Sequence, residues 1–425
     1  MNEQVHLLSF EGPDPYARAG GLATRVEGLT EALAVAGRDV HLWFVGDPNR
    51  PDVERRGRLQ LHRWCQHLSR HHPEGVYAGE LEKVEDYTRA LPPRLFEEVL
   101  RPALERGQRG IVLAEEWQTA RAVIGLDRLL RRAGLRERVA LLWNANNTFG
   151  FEGIDWDALR RAARITTVSR YMKHRMRALG VDAVVIPNGL AADAFASVDR
   201  ASVASLRARF RDRTLITKMA RWDPDKAWLA ALETTTALKR QGWRPILVAR
   251  GGGGPYGELV LRTAKQLGLR VADRDPGPGP ATLVRALRDV GDVDVVNLGS
   301  YVGSAARRVL FRASHAVLAN SSHEPFGLVG LETMAVGGIA CTGCSGEDYV
   351  LAGQNALVLE TADPREFISL YQRLRSDPVH EQRLREMGRL TARRFAWSEV
   401  IERVLLPRVE LERTRFGERV RMGAA

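Results

Sequence analysis

Two neighbouring glutamates, Glu324 and Glu332, mark the segment of this chain with the clearest chemical potential. Residues 317–320 are predicted to form a short buried strand, residues 321–324 its exit loop, and residues 327–336 a helix with apolar residues along one side. The free N–H groups at such a helix start attract an anion, most often a phosphate. A carboxylate beside them can accept hydrogen bonds from sugar hydroxyls. The alternative is a strand–loop–helix unit whose glutamates are simply solvated.

A basic pair, Arg221 and Lys226, follows another predicted strand in the same half of the chain. Two of the six lysines in the whole sequence, Lys218 and Lys226, lie in this short stretch. An arginine fork and a lysine point charge at this spacing can hold a diphosphate. Such fixed cations would stabilise the negative charge that develops on a departing diphosphate. The alternative is a surface loop in which Arg221 pairs with Asp223 or Asp225.

A glycine pair, Gly20-Gly21, closes the loop after the first predicted strand and opens a helix. Paired glycines let the backbone approach a ligand closely, and the helix start favours a phosphate. Most such pairs are simply turns, so the pair alone is weak evidence. A glycine run at residues 251–254 also follows a predicted strand, but it lacks the Lys-Ser/Thr of a P-loop.

The composition fits a soluble globular protein of two domains. The chain has 425 residues, of which 44% are hydrophobic and 7% aromatic. No apolar run has membrane-spanning length, and the first residues lack the basic and apolar pattern of a signal peptide. Three cysteines make no disulfide framework. A cytoplasmic location is therefore the default expectation.

The net charge of +11 comes mainly from arginines that are scattered along the chain. No dense basic run carries interleaved aromatic residues, so no nucleic-acid partner is predicted. Arginines on solvated helix faces explain most of the charge, and a weak attraction to anionic surfaces is the second interpretation. The oligomeric state is not predicted.

Short apolar strands alternate with amphipathic helices along most of the chain, which is typical of parallel sheets covered on both faces. The pattern predicts an α/β fold with two doubly wound, Rossmann-like domains that face a shared cleft, over residues 1–190 and 191–395. Residues 55–110 are predicted to be an insertion, broken at 71–73 and at 92–93, with a helix over 94–104. Residues 273–280 are predicted to form a loop. The predicted strands cover residues 5–10, 40–45, 111–114, 139–143, 165–168, 184–186, 215–219, 245–249, 293–298, 316–318, 339–341 and 356–359.

These motifs, in this order, resemble the retaining glycosyltransferases of the two-domain GT-B fold, both the group 1 (family 4) enzymes and the bacterial glycogen synthases. Glu324 with Glu332 is similar to the E-x7-E motif of that family, and Arg221 with Lys226 to its diphosphate-binding pair. Residues 395–398 resemble the start of a closing helix that crosses back to the first domain in this fold, here within residues 396–425. Other similar segments are residues 17–22, 115–120, 166–169 and 187–190.

The resemblance implies a UDP-, ADP- or GDP-hexose as donor, most often glucose, a sugar or glucan acceptor, and retention of the anomeric configuration. It implies no metal and no other cofactor, because the cation pair takes the place of a metal. By the same resemblance Glu324 binds the transferred sugar, Glu332 the ribose, and Arg221 with Lys226 the diphosphate. Further donor contacts would come from Gly20 and Gly21, from the backbone of Phe326, Gly327 and Leu328, and from Tyr301 and Val302 beside the base.

Four positions depart from the family pattern. Asn146 stands where the family has a histidine that contacts the transferred sugar, and an amide cannot carry a proton charge; under a shifted alignment Asn146 is only a turn residue. Arg18 replaces a lysine, and Glu115-Glu116 replaces a His-Asp pair, which argues against a glycogen-type acceptor site. Cys341-x-x-Cys344 replaces a glycine-rich loop and is interpreted as two small buried residues, because one pair lacks partners for zinc.

Three other functions remain open at this point. A non-catalytic relative that binds a sugar nucleotide or a glycan would explain the missing histidine. A GT-B epimerase or phosphorylase would use the same cleft. A nucleic-acid-binding protein would show strong salt-dependent binding to DNA or RNA.

Overall fold

The computed structural model describes the backbone of residues 3–423 and the side chains of residues 3–414, and it divides into two compact units. The first unit joins the chain up to Ala191 with the chain from Ala396 onward, and the second unit is Ala192–Phe395. Each unit has its own central sheet with helices against it. The predicted α/β fold with two doubly wound sheets is confirmed.

Fifteen strands lie within residues 3–423, and we number them in chain order. They are β1 Glu3–Leu8, β2 Asp39–Val45, β3 Val53–Arg56, β4 Leu59–Trp64, β5 Arg109–Glu115, β6 Val139–Ala145, β7 Arg164–Thr167, β8 Val184–Val185, β9 Thr214–Met219, β10 Pro245–Arg250, β11 Val271–Arg274, β12 Val295–Leu298, β13 Ala316–Ala319, β14 Ala340–Thr342 and β15 Leu357–Val358.

The same residues contain seventeen α-helices, together with short 3₁₀ turns. The helices are α1 Gly21–Val35, α2 Gln66–Ser69, α3 Glu80–Arg94, α4 Arg101–Glu105, α5 Trp117–Arg132, α6 Trp156–Ala162, α7 Arg170–Ala178, α8 Arg200–Arg209, α9 Trp228–Arg240, α10 Pro255–Gln266, α11 Pro280–Arg288, α12 Ser304–Ala313, α13 Leu328–Ala335, α14 Pro364–Ser376, α15 Pro378–Arg394, α16 Trp397–Val400 and α17 Leu406–Gly423. Two segments, Leu95–Leu100 and Ile401–Leu405, are π-helical.

The first sheet has the strand order β3-β4-β2-β1-β5-β6-β7-β8, and only the β3–β4 pair is antiparallel. The second sheet has the order β11-β12-β10-β9-β13-β14-β15 and is parallel throughout. The strand order reverses between β1 and β5 in the first sheet and between β9 and β13 in the second. In open α/β sheets such switch points, at the carboxyl ends of the strands, are where ligands bind. The loops that follow these four strands therefore carry the candidate site residues.

All twelve predicted strands are present, but β3, β4 and β11 were not predicted. Two of them lie in the region that was predicted to be an insertion. There, β4 pairs in parallel with β2 and buries Leu59 and Leu61, so that it extends the first sheet. β11 begins at Val271 and takes in Asp273 and Arg274, which were predicted to lie in a loop. β4 alternates leucines with polar residues and so lacks a continuous apolar run, whereas β11 is short and carries charged residues.

The proline pair Pro92-Pro93 was expected to break the strand–helix pattern ahead of a helix over residues 94–104, and no such break is observed. Helix α3 runs through both prolines and continues into the π-helical segment Leu95–Leu100. Tyr87, Leu91 and Pro92 are buried, so the packing of α3 against the sheet outweighs the local preference of proline.

The chain from Ala396 onward packs on the first unit, beginning with Trp397. The indole of Trp397 lies against Gly28 and Gly189, where an added Cβ would approach the ring to 2.5 Å and 2.4 Å. Val400, Ile401 and Leu405 continue the same buried contact. Within the described residues, no helix combines the length and the apolar composition that a bilayer crossing requires.

Candidate functional site

Two loops of the second unit leave the sheet side by side at its switch point. One follows β9 and carries Arg221 and Lys226, and the other follows β13 and carries Glu324. The Nζ atom of Lys226 lies 2.8 Å from Oε2 of Glu324, and both side chains are partly exposed. The fold therefore joins a predicted diphosphate-binding cation to the predicted sugar-binding carboxylate. Since these residues are far apart in sequence, only the parallel arrangement of β9 beside β13 produces the pair.

The two loops are also tied together through their backbones. Ser322 donates its N–H and its hydroxyl to the carbonyl of Asp225, at 2.9 Å and 3.1 Å. The N–H of Glu324 donates to the hydroxyl of Ser345 at 3.0 Å. These bonds hold both ends of the Lys226–Glu324 pair.

Arg221 is exposed, and no described residue forms an ion pair with its side chain. The predicted alternative, a pairing with Asp223 or Asp225, is not observed. Asp223 instead accepts a hydrogen bond from the backbone of Asp225 at 2.9 Å and so starts a 3₁₀ turn. The backbone of Arg221 is fixed, because its carbonyl accepts the indole N–H of Trp228 at 2.8 Å. Its guanidinium is available for an anion.

Lys218, the other lysine of this region, is buried inside the second unit, so its side chain is not available to bind an anion. Its Nζ atom donates to the side chain of Asn320 at 3.0 Å and to the carbonyl of Leu318 at 3.4 Å. Burial, and then the nearby charge of Lys226, lower the pKa of Lys218 to about 7. Sequence reasoning did not single out Asn320. Its side chain accepts the bond from Lys218 and so links the ends of β9 and β13.

The predicted helix after Glu324 is confirmed as α13, with Gly327 before its first residue. Gly327 has a φ of 71°, a left-handed conformation that favours glycine. Phe326 is buried against the rings of Tyr349 and Phe395, so only its backbone can contact a ligand. Leu328, half-buried, is the first residue of the helix.

Glu332 lies within α13, where it pairs with Arg307 at 3.2 Å. Burial raises the pKa of Glu332 above its usual value. Of the two residues predicted beside the base, Tyr301 is 67% exposed and is free to stack on a ring. The side chain of Val302 is packed in the hydrophobic core, which leaves only its backbone for the predicted contact.

In the first unit, the start of helix α1 already holds an anion. One carboxylate oxygen of Glu11 accepts hydrogen bonds from the N–H groups of Ala19 at 3.3 Å, Gly20 at 3.0 Å and Ala23 at 3.0 Å. The other oxygen accepts the hydroxyl of Tyr77 at 2.6 Å. The N–H of Gly20 is therefore already bonded in this structure, and the predicted contact of Gly20 with the donor stays a prediction. Gly21 is exposed, and a Cβ added there would meet no described atom within 4 Å.

Asn146 takes part in a hydrogen-bonded network at the carboxyl ends of β5 and β6. Its side-chain amide donates to Glu115 at 2.9 Å, and its backbone N–H donates to Glu116 at 2.6 Å. Arg25 pairs with the other oxygen of Glu115 at 2.9 Å. Burial raises the pKa of Glu116 to about 7. Asn146 is thus more than a turn residue, and the carboxylates of Glu11, Glu115 and Glu116 are features that sequence reasoning did not assign to the site.

The remaining departures from the family pattern have simple structural roles. Arg18 pairs with Glu27 at 2.6 Å on the exposed side of α1. Cys341 is buried, but Cys344 is exposed, so the interpretation of both as buried residues is wrong for Cys344. Cys344 lies past the end of β14, where the chain has left the sheet. Among the described residues, no group of three histidine, cysteine or acidic side chains is placed to hold a metal ion.

Comparison with known proteins agrees with this architecture. The sequence profile of Glycosyltransferase Family 4 matches residues 19–194. The chain is similar to a D-inositol 3-phosphate glycosyltransferase of Actinosynnema mirum, with 30% identity over 36% of this chain and 33% of that protein. It is 25% identical to a protein of the same name from Thermomonospora curvata, over 30% of each chain. The matches span about a third of the length of these relatives.

Solved structures match over nearly the whole chain. A sucrose-phosphate synthase of Thermosynechococcus elongatus has a TM-score of 0.65 and 20% identity, and the match covers 98% of this chain and all of that one. The catalytic domain of starch synthase IV from Arabidopsis thaliana, bound to ADP and acarbose, has a TM-score of 0.65 and 16% identity over 97% and 98% of the two chains. At these identities the likeness establishes the fold. Together with the family match it confirms the predicted resemblance: this chain has the GT-B fold and is similar to the group 1 (family 4) glycosyltransferases.

Proposed function

We propose that this protein is a retaining glycosyltransferase that moves a hexose, with glucose as the first candidate, from a nucleoside-diphosphate sugar to a sugar or glucan acceptor. The observation that carries the proposal is the 2.8 Å pair of Lys226 and Glu324 at the switch point of the second sheet. The exposed and unpaired Arg221 lies on the same loop as Lys226. A cation pair beside a carboxylate suits a ligand that joins a diphosphate to a polyhydroxyl group.

Each residue has a defined role in the proposed reaction. Arg221 and Lys226 bind the diphosphate, and Glu324 accepts hydrogen bonds from hydroxyls of the transferred sugar. Glu332 binds the ribose, for which it would exchange its contact with Arg307. The bond between the anomeric carbon and the diphosphate oxygen breaks, and the acceptor oxygen bonds to that carbon from the same face. The leaving diphosphate takes the acceptor proton while the two cations stabilise its charge, so that the proposed reaction needs no metal.

The named relatives support a donor of this class. One structural neighbour is bound to ADP, and another is a sucrose-phosphate synthase. The base is not specified by the described contacts. Tyr301 is the exposed aromatic side chain that we assign to stack on it.

The first unit supports an acceptor that presents hydroxyl groups. The start of α1 is occupied by the Glu11 carboxylate, which competes with any phosphate for the same amides. Carboxylates accept hydrogen bonds from hydroxyl groups, and the Asn146 amide can both donate to them and accept from them. A neutral carbohydrate therefore fits this edge better than a phosphorylated one.

A non-catalytic sugar-nucleotide-binding protein is the second candidate. The favouring observation is that Asn146, at the position of the family histidine, is engaged by Glu115 and Glu116. This candidate predicts nucleotide binding with no turnover of any donor.

The test is a screen of UDP-, ADP- and GDP-glucose with glucose, glucose 6-phosphate, myo-inositol and maltooligosaccharides as acceptors. We expect transfer with retained configuration, read by NMR of the product, and loss of transfer in Glu324→Gln with UDP, ADP or GDP affinity within about threefold of the wild type. Glu233→Gln, at an exposed position on helix α9, is the matched control. Unchanged transfer by both Glu324→Gln and Arg221→Ala would overturn the assignment, and binding without turnover would favour the second candidate.

A further inference from the structure

One acidic side chain of the second unit has no role in the proposed reaction although it lies beside the site. Glu347 is 6% exposed, and neither of its carboxylate oxygens has a hydrogen-bond partner of normal geometry. A carboxylate buried without a counter-ion is strongly unfavourable, so that such a group is usually protonated. Glu347 lies beside the turn that carries Glu324, so the charge of its carboxyl affects the site.

The segment from Ser345 to Tyr349 forms the support of that turn, and we call it the backing segment. Ser345 accepts the N–H of Glu324 at 3.0 Å. A Cβ on Gly346 would lie 2.2 Å from the carbonyl oxygen of Glu324, so the two backbones touch. The hydroxyl of Tyr349 donates to the carbonyl of Gly327. The whole turn between strand β13 and helix α13 therefore rests on the backing segment.

Glu347 fills the centre of this support. A Cβ on Gly327 would lie 2.7 Å from Cγ and 2.9 Å from Oε1 of Glu347, which places the carboxyl directly against the start of α13. Helix α13 has eight residues, and the backbone N–H groups of its first turn have no hydrogen-bond acceptor within the helix. The buried Glu347 carboxyl, which has no hydrogen-bond partner of normal geometry, lies against the residue just before that turn.

We infer that Glu347 is a positioning residue of the donor site, where its uncharged carboxyl leaves Lys226 to Glu324 and to the donor diphosphate. When Glu347 ionises, a second negative charge appears beneath the turn. That charge attracts Lys226 away from Glu324 and repels both the Glu324 carboxylate and the diphosphate. Donor affinity then falls. This inference rests on the proposed function, since it assigns a role to Glu347 at the same site.

The charged surroundings agree in direction. Burial, and then the negative charge of Glu324, raise the pKa of Glu347 to about 7. The charge of Lys226 and nearby backbone N–H groups act in the opposite direction with smaller effect. Tyr349 and Cys344 are the other titratable groups that interact with Glu347, and both have a raised pKa, so they stay uncharged near neutrality. Glu347 therefore changes its charge near pH 7 while Tyr349 and Cys344 do not. Lys218, whose pKa burial lowers to about 7, also interacts with Lys226 and Glu324. Lys218 is present in both the wild type and a Glu347 variant, so the contribution of Glu347 is the difference between their pH profiles.

The decisive variant is Glu347→Gln, which keeps the shape of the side chain and cannot ionise. The full-length protein is titrated with UDP-glucose, ADP-glucose and GDP-glucose, without acceptor, by calorimetry at pH 6, 7 and 8. In the wild type the affinity for the donor that binds should fall about tenfold from pH 6 to pH 8, as one ionisation near pH 7 requires. The fall in affinity should be at least about fivefold smaller in the variant. The control Glu233→Gln, at an exposed position on α9, should follow the wild type.

A second measurement does not need a donor. Because Glu347 has a higher pKa in the folded state than the usual value of 4.5, the folded protein holds more protons between pH 4.5 and 7. The Tm of Glu347→Gln should therefore rise relative to the wild type as the pH rises through this window, and then level off. A constant difference in Tm would contradict an uncharged Glu347.

The outcomes separate the two proposals. If a donor binds and the wild type and Glu347→Gln share one pH profile, the inference about Glu347 is overturned and the proposed function stands. If none of the three donors binds at any pH, the proposed function fails, and the donor role of Glu347 fails with it. Weak donor binding by Glu347→Ala that Glu347→Gln restores would support positioning by shape and neutral charge.

Discussion

The indole N–H of Trp228 donates a hydrogen bond to the backbone carbonyl of Arg221 at 2.8 Å. Trp228 is fully buried at the start of α9, and its ring lies 4.0 Å from that of Trp222, measured between centroids. The core of the second unit thus holds the backbone of an arginine whose side chain is exposed. A cation that stabilises the charge developing in a transition state must be held in place before the reaction, and this hydrogen bond holds the backbone of Arg221.

Trp228→Phe should test this support. The change removes the hydrogen bond and part of the ring, which should lower the free energy of unfolding by about 1–3 kcal/mol. It should also weaken the binding of UDP, ADP or GDP roughly tenfold, because the backbone of Arg221 is released. Urea unfolding and calorimetric titration check the two effects. Trp243→Phe, which alters a tryptophan that packs on Tyr371, should cost stability without changing nucleotide affinity.

Arg221→Ala should affect activity and leave stability unchanged. The side chain is exposed, so the free energy of unfolding should stay within about 0.5 kcal/mol of the wild type. Transfer, measured as kcat/KM, should fall roughly 10²–10³-fold because one cation no longer faces the leaving diphosphate. Arg262→Ala, at an exposed position on α10, is the matched control. An Arg221→Ala variant with wild-type kcat/KM would remove this residue from the mechanism.

The glycine run after β10 shapes the same loop through Trp222. The indole N–H of Trp222 donates to the carbonyl of Gly252 at 2.6 Å, and a Cβ on Gly251 would lie 2.2 Å from the ring. Gly251→Ala should therefore displace Trp222, lower the free energy of unfolding by about 1–3 kcal/mol and weaken nucleotide binding. In Gly253→Ala the added methyl meets nothing within 4 Å, so this neighbour should behave as the wild type. Equal changes in Tm for the two variants would show that the contact between Gly251 and Trp222 does not support this loop.

Three stacked histidines in the first sheet should make stability fall at acidic pH. His41 and His62 lie 3.0 Å apart between ring nitrogens, and His6 stacks on His41. Burial lowers the pKa of His41 to about 4, of His62 to about 3, and of His6 well below the usual 6.5. The unfolded chain therefore binds more protons below pH 6.5, and stability that is complete above this pH is lost as the pH falls towards 3.

The expected slope is about 1.4 kcal/mol per pH unit for each histidine that is neutral when folded and charged when unfolded. Urea unfolding between pH 4 and pH 8 measures it. His62→Gln should reduce the slope by about 1.4 kcal/mol per pH unit, the contribution of one histidine. His174→Gln, at an exposed position, should leave the slope unchanged. Identical slopes in all three proteins would show that the buried histidines do not control the acid limit.

The pattern of apolar runs is enough to predict twelve strands, because a strand that is buried on both faces needs a continuous apolar segment. The same reasoning misses β4, whose sequence alternates buried leucines with polar residues. It also places a break in the strand–helix pattern at Pro92-Pro93, where helix α3 in fact continues. In both cases the packing of neighbouring elements decides the outcome, and local preference is outweighed. The contacts of Glu324 show the same limit, since Ser345 and Gly346 come from a later part of the chain.

By itself, the sequence determined the α/β class, the likeness to a glycosyltransferase family, and the identity of Glu324, Arg221 and Lys226 as candidate residues. Tertiary structure alone decided that Lys226 meets Glu324, that Glu11 takes the amides at the start of α1, and that Glu347 is buried beneath the site. The reason is physical. Apolar periodicity and local motifs are properties of residues that are close in sequence. The contacts named above depend on which strands lie side by side and on which polar groups are buried when the chain folds.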